Sequence, residues 1–430
     1  MFQEFTKYDV VICGGGVAGI SCAYICAKQG LKALLVEKEN FLGGDVTGGL
    51  VVPVMKSNSS NLNCEFFNSL VEYAKKFDAQ ITYGDENCGW FNPVLLPMVF
   101  ENMLCNVGVE ILYEVQPCNA DKIENEVCKI YLNSSVDFNK DRKMLSLPIE
   151  SSYFVDATGN ASLAKILKCK MWDDNLQKQP SSLRFIMSGV DLGKFSKFIT
   201  ELDSDRNITT TYLIDSNYHL STAFTWDENK KWALEPYFRQ AIKDGVLIDS
   251  DLAYFQVFTI AGMPNSVAFN CPRLVDFCDE KSYSKALIEA RKAIYRLSNF
   301  VKKYLSGFKN SYISNIATKT GHRELARVKC EYDYVVDDII NEKEFENPCL
   351  KSNYPIDIHS NKKNSSVLYE VRSYSFPMES LRSVDYKNLY AIGKIAGCDF
   401  KSHGALRVQA SCMSMGEGAA RDIARRVKCK

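Results

Sequence analysis

The sequence has no excess of charge of either sign, because its 430 residues include 52 lysines and arginines and 52 aspartates and glutamates. Proteins that bind a phosphate backbone or an anionic membrane surface usually carry a basic excess. Nucleic acid and membranes are therefore not expected as main partners. With 46% hydrophobic and 24% charged residues, the composition is that of a folded globular protein.

Histidine is scarce, and the cysteines are not arranged in closely spaced pairs. The chain has four histidines and sixteen cysteines, with no Cys-x-x-Cys. This weighs against a zinc ribbon and a thioredoxin-type centre, so no metal site is expected. Many cysteines, such as Cys13, Cys22 and Cys26, sit in apolar runs. That pattern favours the reduced, buried thiols of a cytoplasmic protein over the disulfide framework of a secreted one.

Long apolar runs without charge are also lacking, apart from one at residues 10–27. Gly14, Gly15 and Gly16 interrupt that run, and such a cluster would weaken a membrane-spanning helix. Glu4 and Asp9 spoil the basic start of a signal peptide. We therefore expect neither a membrane span nor an export signal, and predict a cytoplasmic location.

The apolar pattern at the start predicts a β-α-β unit, with a strand at 8–13, a helix at 17–30 and a strand at 32–36. Helices are also predicted at 65–77 and 92–107, and strands at 109–115, 128–132 and 151–155. Residues 169–376 follow a different pattern, with aromatic-rich strands at 185–188, 254–259 and 267–270 and one long helix at 284–305. This indicates a second, inserted domain. A strand at 389–392 and a helix at 411–427 would then rejoin the first sheet.

A dinucleotide fingerprint accounts for the glycines near the start. Gly14-x-Gly16-x-x-Gly19 follows a predicted strand and opens a predicted helix, where glycine lets the backbone approach a pyrophosphate at the helix N-terminus. Glu37 ends the next strand and is placed to accept hydrogen bonds from an adenosine ribose. These residues alone leave NAD and FAD open. The second glycine-rich segment, at 43–49, favours the longer FAD.

Several further motifs resemble FAD-dependent oxidoreductases of the glutathione-reductase-like (GR2-type) flavoprotein superfamily. They are Val155-Asp156-Ala157-Thr158-Gly159, Gly321-His322-Arg323-Glu324 with Arg327, the stretch Asn388-Leu389-Tyr390-Ala391-Ile392-Gly393-Lys394, and Ser402-His403-Gly404-Ala405-Leu406-Arg407-Val408. With the N-terminal fingerprint, these motifs follow one another along almost the whole chain. No cysteine pair or histidine lies near the second glycine segment, so neither disulfide reduction nor flavin attachment to a histidine is expected.

The resemblance implies an α/β fold class. It consists of a Rossmann-like FAD-binding domain, with a parallel sheet, helices on both faces and a β-meander, and an inserted α+β substrate or cap domain. The FAD-binding domain would comprise residues 1–168 and 377–430, and the cap domain residues 169–376. The cofactor would be FAD, bound non-covalently, with the N-terminus of the last helix aimed at the flavin. The implied cofactor residues are Gly14, Gly16, Val17, Ala18, Gly19, Glu37, Lys38, Gly43, Gly44, Thr47, Gly48, Val115, Ala157, Thr158, Gly159, Gly393, Asp399, Gly404 and Leu406.

Three residues are candidates for catalysis. His403 and Arg407 are similar to the His-Gly-x-x-Arg stretch of fumarate-reductase-type enzymes, in which the arginine faces the substrate. Arg407 would orient a carboxylate or stabilise an oxyanion, and His403 would carry the accompanying proton. Arg323 is the third candidate. The alternatives are a structural histidine, a flavin or backbone contact for Arg407, and an ion pair of Arg323 with Glu324.

The function predicted from these features is hydride transfer between FAD and a small organic substrate bound between the two domains. One alternative is fumarate-reductase-like reduction of an unsaturated carboxylate, and another is a flavin-binding protein of RNA modification. Cys398 and Cys412 flank the predicted flavin segment, and buried packing is the simpler role for both. The sequence leaves the substrate, the electron acceptor and homo-oligomer formation open.

Overall fold

A computed structural model describes residues 7–55, 62–134, 136, 147–173, 179–203, 205, 208–225, 233–274, 277–360 and 367–429. The loop at 56–63 and the turn at 133–143, which the polar composition there predicts, fall mostly outside these ranges. Within the described ranges, no helix combines the length and apolar character that crossing a bilayer requires.

The described helices and strands alternate along the chain. The helices are α1 (Val17–Lys28), α2 (Glu65–Lys75), α3 (Leu96–Asn106), α4 (Ser162–Ile166), α5 (Leu192–Leu202), α6 (Glu235–Lys243), α7 (Glu280–Tyr304), α8 (Val336–Ile340), α9 (Phe400–Leu406) and α10 (Gln409–Lys428). The strands are β1 (Tyr8–Cys13), β2 (Ala33–Val36), β3 (Gln80–Ile81), β4 (Trp90–Phe91), β5 (Glu110–Leu112), β6 (Val115–Ile123), β7 (Glu126–Ser134), β8 (Leu147–Asp156), β9 (Ser181–Ser182), β10 (Phe185–Ser188), β11 (Thr209–Ile214), β12 (Asn217–Thr225), β13 (Tyr254–Thr259), β14 (Ser266–Phe269), β15 (Arg273–Leu274), β16 (Tyr312–Ile316), β17 (Pro348–Ser352), β18 (Ile356–Ile358), β19 (Val367–Tyr369), β20 (Tyr374–Pro377) and β21 (Leu389–Ala391).

The first sheet has the order β5-β2-β1-β8-β7-β6, and β21 also pairs with β8. Strands β5, β2, β1, β8 and β21 are parallel, whereas β6, β7 and β8 form an antiparallel meander. Strand β8 serves both parts, because residues 147–150 pair with β7 and residues 151–156 pair with β1. The predicted return of the chain to the first sheet is confirmed by β21.

Strand β1 is apolar from Val10 to Cys13 because both faces of this sheet are covered. Val10 and Ile12 pack in one cluster with α1 and α10, while Val11 and Cys13 pack in another with the meander and α4. Helix α10 approaches α1 closely at Gly416, where an added Cβ would lie 2.2 Å from the backbone oxygen of Ala18. Close packing therefore explains this glycine inside a helix.

The second sheet is antiparallel, with the order β11-β12-β13-β14-β10-β16. It shares a separate core with α5, α6 and α7. The predicted strands at 185–188 and 254–259 are confirmed, and the long helix begins at Glu280, four residues earlier than predicted. The apolar residues of that helix predict one core-facing stripe, formed by Ile288, Ile294, Tyr295, Leu297 and Val301. Ile294, Leu297 and Val301 are buried in the core, but Ile288 and Tyr295 are exposed, so the prediction was wrong for these two.

The predicted division between the two domains stays a prediction. Residues of the segment that follows the second sheet, among them Tyr334, Leu350 and Phe376, pack in the same cluster as α1 and α10. They do not belong to the core of the second sheet. Residues that the predicted boundary assigns to the cap domain therefore pack on the face of the first sheet that α1 and α10 also cover.

Candidate active site: two adjoining cavities

The loop after β1 is built for a close approach of backbone to a ligand. The amide of Gly14 donates to the Val36 carbonyl oxygen at 2.7 Å, and the amide of Gly43 donates to the Gly15 carbonyl oxygen at 2.8 Å. These bonds join both glycine-rich segments to the same sheet edge. Gly16 is the N-cap of helix α1 and has no side chain that could bond the first N–H groups of the helix, so these groups face outward. An added Cβ at Gly16 would meet no protein atom within 4 Å.

A first cavity of about 920 Å³ lies against this loop. Its wall includes most of the predicted cofactor residues: Gly14, Gly16, Val17, Ala18, Glu37, Lys38, Gly43, Gly44, Val115, Ala157, Thr158, Gly159 and Gly393. Glu37 stands at the end of β2, and its carboxylate accepts the amides of Gly15 at 2.5 Å and Glu39 at 2.9 Å. Each carboxylate oxygen can accept more than one hydrogen bond, so Glu37 can still accept hydrogen bonds from ribose hydroxyls.

Asp156 shapes the opposite wall of the first cavity. It is fully buried at the end of β8 and accepts from the Thr158 amide, the Thr158 hydroxyl and the Ala164 amide. Burial raises the pKa of its carboxyl, although these donors work against the shift. The bonds fix the turn at 157–159, which explains why this motif follows the strand.

A second cavity, with an empty volume of about 930 Å³, adjoins the first. Four residues line both: Asp45, Lys394, Arg407 and Gln409. The second cavity is otherwise walled mainly by the second sheet and the segment around residue 357, with Arg184, Tyr254, Gln256, Phe258, Asn270, His322, Arg323, Tyr354, Asp357 and His359 among its residues. The helix start at Val408 and Gln409 also reaches this wall, and its direction towards a bound flavin stays a prediction.

The shared wall carries a buried ion pair that sequence analysis did not find. Lys394 Nζ lies 2.6 Å from Asp45 Oδ2 and donates to the His322 carbonyl oxygen at 2.7 Å. Burial alone would raise the pKa of Asp45, but Lys394 and Lys319 outweigh it and hold that pKa below its usual value. Asp45 lies in the second glycine-rich segment, and Lys394 ends a later motif. The spacing within each motif did not indicate that these two side chains, 349 residues apart, would pair.

The comparisons with known proteins agree with this geometry. A model of the FAD dependent oxidoreductase family matches residues 9–429. The chain belongs to that family. FAD is therefore its cofactor, and the first cavity fits it: a glycine cradle that a Cβ would fill, an uncapped helix N-terminus for a pyrophosphate, and Glu37 for a ribose.

Individual relatives of this FAD-dependent oxidoreductase are distant. Thiamine thiazole synthase of Sulfolobus acidocaldarius is 45% identical over 51 residues, which is 12% of this chain and 19% of that protein. The synthase of Saccharolobus islandicus gives the same figures. The chain thus matches about a fifth or less of the length of its curated relatives.

Solved structures with a similar arrangement include flavin-dependent brominase Bmp2, which is 15% identical with a TM-score of 0.47 over 99% of this chain and 80% of that chain. The myxobacterial chondrochloren halogenase CndH is 12% identical with a TM-score of 0.48 over 99% of this chain and 76% of that chain. Both scores are below 0.5, so neither structure bears on the activity of this oxidoreductase.

Six predicted cofactor residues of the oxidoreductase, Asp399 and the five described here, are not among the wall residues of either cavity. Gly19 instead packs against the loop after β1, because an added Cβ would lie 1.9 Å from the Gly14 carbonyl oxygen. Thr47 donates to the Leu42 carbonyl oxygen at 2.6 Å and so closes its own turn. The Gly48 carbonyl oxygen accepts the Lys319 amide. Gly404 lets α9 approach Asp357, and Leu406 is buried in the core. All five lie outside the two cavity walls, where they pack against or bond to the structure around them.

Asp399 is one of the implied cofactor residues, for which the resemblance implies contact with the ribityl chain, and the structure gives it another task. Its carboxylate caps α9 by accepting the Ser402 amide at 2.7 Å, and its other oxygen accepts the Val336 amide at 3.0 Å. It is not among the wall residues of either cavity. For Val115 the resemblance implies a backbone contact with adenine, but its amide already donates to the Glu37 carbonyl oxygen at 3.1 Å.

The proton-carrying role expected for His403 is not supported. The ring is 1% exposed, lies outside both cavity walls, and contacts the Lys394 carbonyl oxygen through Nε2 at 3.0 Å. Burial, together with Arg327 and Arg407, holds its pKa well below the usual value. Because a carbonyl oxygen can only accept, the neutral His403 ring carries its proton on Nε2 and donates it to Lys394, which fixes the backbone there.

The two predicted arginines do reach the second cavity. Arg407 Nη2 lies 3.3 Å from Asp357 Oδ2 and donates to the Asp357 carbonyl oxygen at 3.0 Å. Arg323 Nη1 donates to the Pro180 carbonyl oxygen and to Ser182 Oγ. The expected alternative, an ion pair of Arg323 with Glu324, is not formed, because Glu324 pairs with Arg327 at 2.9 Å. Among the described residues, no carboxylate forms an ion pair with Arg323.

The cysteines are all free, and all sixteen lie in the described ranges. Cys412 lines the first cavity, and burial raises the pKa of its thiol to about 12. Since the thiolate is the reactive form, Cys412 is a packing residue at neutral pH. Cys398 is also buried. Among the described residues, no cluster of three or more His, Cys, Asp or Glu side chains has the arrangement of a metal site.

Proposed function

We propose that this oxidoreductase transfers a hydride between FAD, held without a covalent bond in the first cavity, and a small organic substrate held in the second. The observation that carries the proposal is the wall shared by the two cavities. Asp45, Lys394, Arg407 and Gln409 line both. A cofactor and a substrate placed in the two cavities would therefore meet there.

The chain's own residues would set the electrostatics at this meeting point. Bound FAD supplies the redox chemistry. Lys394 and the N-terminus of α10 place positive charge at the shared wall, which favours negative charge that develops there. The bond from Lys394 to Asp45 holds the ammonium in place, and His403 fixes the lysine backbone. We therefore assign His403 a positioning role.

The experiment is to record the absorbance spectrum of the purified protein, then denature it and analyse the supernatant. Released FAD supports non-covalent binding, whereas yellow colour that stays with the precipitate contradicts it. The holoenzyme is then screened anaerobically for compounds that bleach the flavin. A colourless protein that stays empty after incubation with FAD would overturn the proposal and every site assignment built on it.

Reduction of an unsaturated carboxylate is the second candidate, favoured by the position of Arg407 on both cavity walls. Its test is the anaerobically reduced holoenzyme mixed with fumarate. Reoxidation that is fast with fumarate and absent with its diamide supports this candidate, and equal rates contradict it. A cytoplasmic location stays a prediction from the reduced cysteines.

A further inference from the structure

The second cavity carries more positive charge than its own carboxylates neutralise. Arg184, Arg323, Arg407 and Lys394 line it, and of the carboxylates that the structure describes, Asp45 and Asp357 are the two that do so. Asp45 is bonded to Lys394 at 2.6 Å, and Asp357 is paired with Arg407 at 3.3 Å. Two guanidinium groups, those of Arg184 and Arg323, are left without a carboxylate among the described residues.

Arg184 is the clearest case of an unbalanced cation. Its side chain is 8% exposed, and its Nε makes no hydrogen bond with any described residue. Burial lowers its pKa to about 10, so it still carries a full charge at neutral pH. Placing a charge in a buried site without a partner costs several kcal/mol in general. A folded protein keeps such a group when a ligand supplies the missing charge.

Arg323 is held in a fixed position on the same wall. Its bonds to the Pro180 carbonyl oxygen and Ser182 Oγ are made by Nη1 alone. Neither acceptor is charged. Arg407 and Arg184 line the same cavity as Arg323, and burial together with these two cations lowers the pKa of Arg323 well below the usual value. Mutual repulsion of this kind is relieved by an anion between them.

The histidines and tyrosines of this cavity do not change the charge balance. Burial lowers the pKa of His322 to about 4 and that of His359 to about 3, so both are neutral at pH 7. Burial raises the pKa of Tyr254, so its hydroxyl stays protonated. The excess of two positive charges therefore holds across the neutral pH range.

The wall of the second cavity also has an apolar part. Val51, Pro53, Met55 and Phe258 line it beside the cations. A free inorganic ion would leave this surface unused, whereas an organic acid would place its carbon body there. Guanidinium groups match the oxygens of a carboxylate or a phosphate as paired donors. Arg184 and Arg323 are not among the wall residues of the first cavity, so they are not placed to bind the FAD pyrophosphate.

From this arrangement we infer that the second cavity binds a small organic anion, whose carboxylate or phosphate group lies between Arg184 and Arg323. That this anion is the substrate rests on the proposed function. That an anion binds at all does not, because the charge balance of the cavity is independent of FAD chemistry.

The test measures binding to the holoenzyme by the shift of the flavin spectrum and by the rise in Tm. The probes are succinate, benzoate and glycerol phosphate, with succinamide, benzamide and glycerol as their uncharged counterparts. We expect at least one anion to bind with a Kd below about 10 mM and its uncharged counterpart to bind at least tenfold more weakly. Preference for carboxylates or for the phosphate identifies the source of the oxyanion.

Three variants separate an anion site from a structural role. Arg184→Gln should raise the Kd of the bound anion at least tenfold, Arg184→Lys should recover part of the loss, and Arg291→Gln, on the exposed side of α7, should change nothing. FAD content should be unchanged in all three. Because buried Arg184 forms no ion pair with any described residue, the Tm of Arg184→Gln without ligand should be unchanged or higher.

Two results would overturn the inference. One is wild-type protein that responds to none of the anions, or binds the uncharged counterparts equally well. The other is an Arg184→Gln variant that binds the anion with wild-type Kd. A protein that binds no FAD would contradict the proposed function, but its response to the anions would still be measured by Tm and would still test the inference.

Discussion

Replacing Gly16 with alanine should abolish tight FAD binding while leaving the protein as stable as before. Gly16 has φ −73° and ψ 171°, which alanine adopts without strain, and the added Cβ would meet no protein atom within 4 Å. Alanine is a poorer helix N-cap than glycine by about 0.5–1 kcal/mol. The reduced freedom of the unfolded chain offsets this by about 0.4–1 kcal/mol. The free energy of unfolding should therefore change by less than about 0.5 kcal/mol.

The effect on FAD follows from the same geometry. The space that the new methyl group would enter is the wall of the first cavity, beside the uncapped start of α1. Inserting a methyl group into a well-packed contact costs about 1–3 kcal/mol. That cost raises the Kd of FAD about 5- to 150-fold. The nearby Gly19 is a matched control with the opposite expectation, because its Cβ would lie 1.9 Å from the Gly14 carbonyl oxygen.

Both quantities are measured on protein stripped of flavin. Urea unfolding followed by tryptophan fluorescence gives the free energy of unfolding, and quenching of flavin fluorescence during titration gives the Kd of FAD. We expect Gly16→Ala to lose affinity at constant stability, and Gly19→Ala to lose at least about 2 kcal/mol of stability. Wild-type FAD affinity in folded Gly16→Ala would refute the placement of the pyrophosphate at this helix start.

Three other expectations concern groups behind the cavities. Lys394→Met leaves the partly buried Asp45 without its nearest cation and should lower the free energy of unfolding by about 1–3 kcal/mol at pH 7, measured in urea. Asp45 of the variant keeps the burial that raises its pKa and loses the cation that lowers it most, so it takes up a proton at a higher pH than in the wild type, and the cost should shrink as the pH falls. His403→Gln keeps a donor for the Lys394 carbonyl oxygen and should preserve flavin reduction and its pH profile, whereas a proton carrier would lose both. Folded protein protonates His322 only near pH 4 and the unfolded chain near 6.5, so stability is full above 6.5 and falls below it; His322→Gln should remove about 1–3 kcal/mol of that loss in Tm measurements from pH 7 to 4.

The parts of the site that sequence analysis found are those set by neighbouring residues. The turn at Gly14–Gly16 needs a strand before it and a helix after it, and all three lie within about twenty residues. Glu37 follows from the same unit, because it ends the strand paired with β1. Such a local unit folds the same way in different proteins, so the pattern of residues is enough to place it.

Sequence analysis predicted the wrong role where one residue type can serve either the local structure or a ligand. An aspartate before a helix is a normal cap, and Asp399 performs that task with both oxygens. His403 lies four residues before Arg407, yet only the arginine reaches the cavities, because His403 lies inside α9 and bonds the Lys394 backbone, whereas Arg407 follows the end of that helix and reaches Asp357. The spacing of the motif could not decide which of them faces the site.

Arg184 shows what no pattern in the sequence could reveal. It stands directly before β10 in a stretch without any motif, more than two hundred residues from Arg407, and the second sheet brings the two together. Its importance lies in the absence of a carboxylate partner among the described residues, which is defined only once the wall of the cavity is known. A buried charge without a partner opposes folding, so its presence in a cavity wall points to a ligand. The anion proposed for the second cavity is therefore inferred from the charge of the wall as much as from the shape of the cavity.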